Sequence, residues 1–336
     1  MKLGRILRKS LDQSIPRLVA VLPEQDRVFD LASVEYYRLL HSGATPEAAL
    51  RLSAALFPSS MSAAIAAGPA FLEAARRCLA TTPDEQAVFS LQEVTWLPAL
   101  DPPVMRDCMS FEQHMVNSFG LENKAIPAVC FELPVSYKIN HLSIIANEQE
   151  VPWPDYSQAV DYELEVGFVV GRQGQNLTPE EARSYLFGVT IFNDFSARDI
   201  QRRETAAGFG PSKSKDFATA VGPWITTTDE LDVYDLEMSA RINGEEWSHG
   251  STSAMLWKVE ELIAYISKVE GVRPGELIGS GTAGFGCGME LRRKLQPGDL
   301  VELEVGGIGI LRNRLGIPQA QGWMPTPRIP RLAQNV

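Results

Sequence analysis

Glu163, Glu165 and Asp194 are the residues whose types and spacing point most directly to chemistry. The two glutamates lie in DYELEVGFVVG, where Tyr162, Leu164 and Val166 alternate with Glu163, Glu165 and Gly167. That alternation predicts a strand, and side chains two apart on a strand share a face, roughly 6–7 Å from one another. By itself such a pair also fits a solvated polar face. The apolar, β-type run Val189–Phe192 ends in Asn193 and Asp194, which puts a third carboxylate at a strand end. Three carboxylates brought together repel, and are tolerated only if some keep their protons or a cation sits among them. All-oxygen ligation suits Mg²⁺, Ca²⁺ or Mn²⁺ rather than zinc.

Other polar residues offer partners for this group. The segment Val104–Gly120, VMRDCMSFEQHMVNSFG, predicts a helix. On it Asp107 and His114 share a face, two turns and about 10 Å apart. That separation suits a carboxylate at one end of a cavity and a base farther along it. Imidazole titrates near neutral pH and can take a proton from water when a carboxylate orients it. After Asp194 the run Ser196–Gln201, SARDIQ, predicts a helix start with Arg198 and Gln201 on one face. Fixed donors of this kind stabilise a developing oxyanion. An anionic substrate needs local positive charge, and Arg198, Arg202, Arg203, Lys213 and Lys215 supply it close to Asp194 in sequence.

ELEVGFVVG, IFNDFSARDIQ, KDFATAVGPW and GSGTAGFGCGMEL occur in that order and resemble the motifs of the fumarylacetoacetate hydrolase family, over about Asp101 to Arg314. The resemblance implies a metal-dependent hydrolase of a carbon–carbon bond in a β-diketo acid or acylpyruvate-type substrate. It implies that Asp107 joins Glu163, Glu165 and Asp194 around a divalent ion, Mg²⁺ first, with Mn²⁺ and Ca²⁺ as alternatives. Thr219 and the main chain of Lys215 would complete that site. It also implies His114 as general base, oriented by Glu290, and Arg198, Gln201 and Lys215 as oxyanion donors. Lys213 competes for the last role, and KDF aligns Lys215 with the family pattern. Tyr137, within LPVSY, and Thr282 become substrate contacts.

Met109 and Thr205 stand where the best-known member carries substrate-contacting tyrosines, so a smaller or more apolar acyl tail is expected. The same cradle in relatives supports decarboxylation of oxaloacetate-like acids and keto–enol isomerisation. A non-catalytic binding protein is the alternative outside enzymes. Having both His114 and Glu290 favours hydrolysis.

The elements that must position these residues read as an α+β, predominantly β, fold. Residues 1–100 are expected to form a smaller N-terminal α+β domain. In it Leu18–Leu22 and Asp26–Leu31 pair around Pro23-Glu24-Gln25, and helices follow at Ser33–His41, Thr45–Leu56 and Pro69–Leu79. Prolines 98, 102 and 103 mark the boundary. The resemblance implies that residues 101–336 form the catalytic domain, mostly antiparallel β with flanking helices, in a family whose members usually form homodimers. Within it Phe131–Pro134 reads as a strand, Asn243-Gly244 as a hairpin turn and Val259–Val269 as a helix.

Composition narrows the partners. The 336 residues carry a formal net charge of −11, and a pI of about 5.0. That balance argues against nucleic acid or an anionic membrane surface. Cys78, Cys108, Cys130 and Cys287 are scattered, without a CxxC pair, as expected of reduced thiols. Neither a signal-type apolar stretch after MKLGRILRKS nor a run of roughly 20 apolar residues is present. The expectation is a soluble, cytoplasmic enzyme acting on a small keto or diketo acid.

Overall fold

The structure, a computed structural model, describes residues 1–9, 14–320 and 322–328. Its centre is a twelve-stranded sheet. Strand Leu164–Val170 lies between Leu186–Asn193 and Leu277–Gly279, and Thr219–Thr227 flanks Leu186–Asn193 on its other side. Beyond Leu277–Gly279 come Met105–Cys108, paired in parallel, and then Ser136–Ile139. A four-stranded antiparallel sheet, built from 237–242, 245–251, 300–305 and 309–314, packs beside it. The expected α+β, β-dominated fold is what the chain adopts.

The central strands have no solvent face. Leu164–Val170 and Thr219–Thr227 are buried at every position, so their sequences are apolar on both sides of the pleat. A charged residue in such a strand must find partners inside the protein. Glu165 is the one in Leu164–Val170.

Two local expectations are corrected. The predicted helix Val104–Gly120 is split: Met105–Cys108 is a fully buried strand, and a helix begins only at Glu112 and runs to Leu121. Asp107 is held by sheet pairing to Gly279 on one side and Tyr137 on the other, which a helix could not offer. The predicted strand Phe131–Pro134 is instead a short helical turn, Val129–Glu132, following Pro127. Elsewhere the elements fall close to the reading. Asn243 and Gly244 take the positive φ values, 53° and 83°, of a tight hairpin turn.

The first hundred residues add Lys2–Lys9, Ser14–Leu22 and Arg27–Asp30 to the central sheet through the pairs Lys2↔Thr226 and Leu3↔Ile225. Helices Leu31–His41, Pro46–Leu56, Met61–Ala66 and Pro69–Ala80 pack over these strands. Phe57 and Phe71 share one buried cluster with Leu3, Leu18, Phe192, Val221 and Ile225, so the apolar core runs across position 100 without a break. Among the described residues no helix is long and apolar enough to cross a membrane.

Candidate active site

Sheet geometry gathers the acids. Asp107 and Glu165 lie on strands either side of Leu277–Gly279, and Glu163 precedes the strand that carries Glu165. Asp107, Glu163 and Glu165 each offer an oxygen within 4.8 Å of the others. Gly279 stands between them. A Cβ there would lie 2.6 Å from Asp107 Oδ1 and 3.0 Å from Glu165 Oε2, so only a glycine leaves room for both carboxylates. Gly281, at φ 81°, turns its N–H to donate to Asp107 Oδ1 at 3.1 Å and Glu165 Oε2 at 3.0 Å. Thr282 Oγ1 donates to Glu165 Oε1 at 3.3 Å.

Lys215 is the positive charge inside this group. Its side chain is 2% exposed, and Nζ donates to Glu163 Oε2 and, at 2.7 Å, to Asp194 Oδ2. Lys213 instead lies over the Tyr156 ring, at 5.3 Å from its centroid, on the surface. The Tyr137 hydroxyl bridges two acids, 2.9 Å from Asp107 Oδ2 and hydrogen-bonded to Asp194 Oδ2. Thr219 Oγ1 is 3.4 Å from Asp194 Oδ1. Asp194 therefore joins the group through Lys215, Tyr137 and Thr219, and stands outside the closest trio. Met109 is half-buried one residue beyond the end of the strand bearing Asp107.

The charges divide by neighbour. Burial alone would raise Glu163, but the Lys215 and Arg198 cations outweigh it and hold its carboxyl down at about 2. Burial, then the charge of Asp107, pushes Glu165 well above the usual range. Asp107 is raised by burial too, and Asp194 is pushed up to about 7 by burial even with Lys215 beside it. Acids crowded this way keep protons unless a cation replaces them. An all-oxygen, fully buried cradle of this kind fits a hard divalent ion such as Mg²⁺, Mn²⁺ or Ca²⁺.

On one flank, Arg198 Nε donates to Asp161 Oδ2 at 2.9 Å, and Nη1 donates to Glu163 Oε1 at 2.8 Å and Gln201 Oε1 at 3.0 Å. Its Nη2 is buried without a protein partner. Arg202 and Arg203 lie on the surface.

On the other flank, His114 Nδ1 lies 2.9 Å from Glu290 Oε2. Glu290 Oε1 accepts from Asn117 Nδ2 at 2.8 Å and Phe285 N at 3.0 Å, and Cys287 Sγ donates to Oε2 at 3.2 Å. Burial would raise Glu290, but the hydrogen bond and charge of His114, with Asn117 and Phe285, hold it below the usual range. An ionised Glu290 fixes the imidazole proton on Nδ1 and leaves Nε2 as an acceptor, 3.4 Å from the Ser118 hydroxyl. His114 lies within electrostatic reach of Glu163 and helps to lower it. A groove of about 1170 Å³ lined by Trp96, Trp224 and Arg312 shares no residue with either group.

Residues 104–316 match the family described as fumarylacetoacetate (FAA) hydrolase C-terminal. The chain belongs to the fumarylacetoacetate hydrolase family. A human member of the family, oxaloacetate tautomerase FAHD2A, mitochondrial, is 31% identical over 260 residues, 77% of this chain and 80% of that protein. An uncharacterized protein of Methanocaldococcus jannaschii is 36% identical over 183 residues, 54% of this chain and 73% of that protein. Among solved structures, the fumarylacetoacetate hydrolase of Exiguobacterium antarcticum superposes with a TM-score of 0.70 at 23% identity, covering 94% of this chain and 99% of that one. The maleylpyruvate hydrolase of Sphingobium sp. SYK-6, solved with a manganese(II) ion and pyruvate, gives 0.68 at 19% identity, covering 95% and 100%. At these identities the likeness is one of fold. Hydrolases, isomerases and a tautomerase thus share this scaffold.

Sequence reasoning missed Asp161, Asn117 and Cys287 as parts of the site. Asp161 also accepts from Gly288 N at 2.9 Å and Met289 N at 3.0 Å, tying the loop of Glu290 to Arg198. Its signal was present, a third acid two residues before Glu163.

Proposed function

We propose that this chain is a divalent-metal-dependent enzyme that hydrolyses a carbon–carbon bond in an acylpyruvate-type β-diketo acid. The observation that carries the reading is the His114–Glu290 pair, 2.9 Å apart and within electrostatic reach of Glu163 in the buried carboxylate cluster. Asp107, Glu163 and Glu165, with Asp194 and Thr219 behind them, would hold the ion, for which Mg²⁺ is the first candidate. The chemistry such an ion supplies is Lewis-acid polarisation of a carbonyl oxygen.

His114 takes a proton from water at Nε2 while Glu290 holds Nδ1–H and stabilises the imidazolium. The water oxygen bonds to the acyl carbon, and Arg198 Nη2 is the free donor for the negative oxygen that results. Gln201 holds Arg198 in place, and Lys215 can join once it releases one of its carboxylates. The carbon–carbon bond then breaks, with its electron pair on the pyruvate fragment, and His114 returns the proton to that carbon. The products are a carboxylic acid and pyruvate. Tyr137, Thr282 and Met109 would line the substrate, with Met109 favouring an apolar acyl tail.

A second reading, keto–enol tautomerisation of oxaloacetate, is favoured by the 31% identity to the human tautomerase. There His114 would take a proton from the α-carbon, whose C–H electron pair becomes the enol double bond, and deliver it to the carbonyl oxygen, with no carbon–carbon bond broken. Acylpyruvates and oxaloacetate incubated with Mg²⁺ or Mn²⁺ in ¹⁸O-labelled water separate the two. Label in a carboxylic acid product supports hydrolysis. Accelerated enol–keto exchange of oxaloacetate without such a product supports the tautomerase, and neither signal sinks both. A homodimer and a cytoplasmic location belong to the same proposal, the first open to sedimentation analysis.

A further inference from the structure

We infer that His114, Cys287 and Glu290 form a second metal site, selective for a soft or borderline ion such as Zn²⁺, which switches the enzyme off. His114, Cys287 and Glu290 each offer a ligand atom within 4.8 Å of the others, a cluster separate from the carboxylate trio. Glu290 Oε2 is the common point, 2.9 Å from His114 Nδ1 and 3.2 Å from Cys287 Sγ. The Glu290 side chain has no exposure and that of His114 has 12%. Tetrahedral zinc with nitrogen and oxygen at about 2.0–2.2 Å and sulfur at about 2.3 Å needs neighbouring ligands about 3.3–3.6 Å apart. The two contacts of Glu290 Oε2 need to widen by only about half an ångström to meet that geometry, and the His114 and Cys287 ligand atoms already lie within 4.8 Å of each other.

Ligand chemistry sorts two ions between the sites. A nitrogen, a thiolate and one carboxylate suit zinc, whereas Mg²⁺ takes oxygen donors and belongs with Asp107, Glu163 and Glu165. Binding releases one proton, from the Cys287 thiol to solvent, and the resulting thiolate and the Glu290 carboxylate balance the two charges of the ion. The imidazole stays neutral but changes tautomer. With the metal on the Nδ1 lone pair, the remaining ring proton sits on Nε2, the nitrogen that must be unprotonated to act as a base. Inhibition therefore needs no competition with Mg²⁺. This consequence for turnover rests on His114 being the base, while the metal site itself does not.

The test uses the full chain saturated with Mg²⁺ and titrated with Co²⁺ as a spectroscopic stand-in for Zn²⁺. The expected result is one equivalent of thiolate-to-cobalt charge-transfer absorption, removed by Zn²⁺, lost in Cys287→Ser and retained in Cys130→Ser. No band, or a band that survives in Cys287→Ser, overturns the site. In the activity arm Zn²⁺ should inhibit at constant excess Mg²⁺, and Cys287→Ser should raise the half-inhibiting concentration by about tenfold or more. Equal inhibition of both proteins overturns the proposal. A cobalt band dependent on Cys287 without zinc inhibition upholds the site and refutes His114 as base.

Discussion

Arg198 Nε lies 2.9 Å from Asp161 Oδ2, and the same carboxylate caps the turn that presents Glu290 by accepting from Gly288 N and Met289 N. Asp161 thus connects the two flanks of the site without joining the metal cradle. Asp161→Asn keeps the shape and removes the charge. A hydrogen bond to a charged group contributes about 1.5–3 kcal/mol, so kcat/KM should fall by about 10- to 100-fold. Steady-state kinetics alongside circular dichroism checks this, and an unchanged kcat/KM in a folded variant rejects the connection.

His114→Asn should lower kcat by about 10²–10⁴-fold, the usual contribution of a positioned base. Calorimetry should show the Mg²⁺ affinity little altered, because His114 is not one of the cradle's oxygens. Glu290→Gln should also slow turnover, since an amide can no longer fix the proton on Nδ1. A His114→Asn protein as active as its parent removes the proposed mechanism.

Gly279→Ala tests the cradle by volume alone. The added methyl would stand 2.6 Å from Asp107 Oδ1 and 3.0 Å from Glu165 Oε2. One carboxylate or the other must move, so Mg²⁺ affinity should drop by about tenfold or more. Unaltered binding in calorimetry would place the ion elsewhere.

The acids also set a pH dependence. Asp194, raised to about 7, and Glu165, raised well above its ordinary value, bind protons in the metal-free folded state that they have shed in the unfolded chain above pH about 4. Their contribution to stability is complete below that pH and is lost as pH rises through the folded values. Glu163, held at about 2, contributes in the opposite sense, and its share is lost only as pH falls toward 2. The melting temperature of metal-free protein should therefore decline from pH 5 to pH 8, and Mg²⁺ should remove the decline while releasing protons. Calorimetry in buffers of different ionisation enthalpy measures the release, and zero release contradicts the assignment.

Period-two alternation and strand-end acids made Glu163, Glu165 and Asp194 legible in the sequence, and family motifs added Asp107, His114, Glu290 and Lys215. Asp107 was placed on the wrong element because MRDC is too short to show a period, and only the neighbouring strands decide that it is extended. Glu290 lies 176 positions from His114, a contact that no local pattern encodes. Lys213 and Lys215 share one short basic run, yet tertiary packing buries one and leaves the other on the surface. Cys287 looked like any scattered thiol until folding set it against Glu290.

Lys2 and Leu3 hydrogen-bond along the strand that opens at Thr219, beside Asp194. Deleting the first hundred residues would strip that strand of a neighbour and bare Val221 and Ile225 to water. A fragment starting at residue 101 would offer an open ladder of amides to any other copy of itself, and should clump before it ever met a substrate.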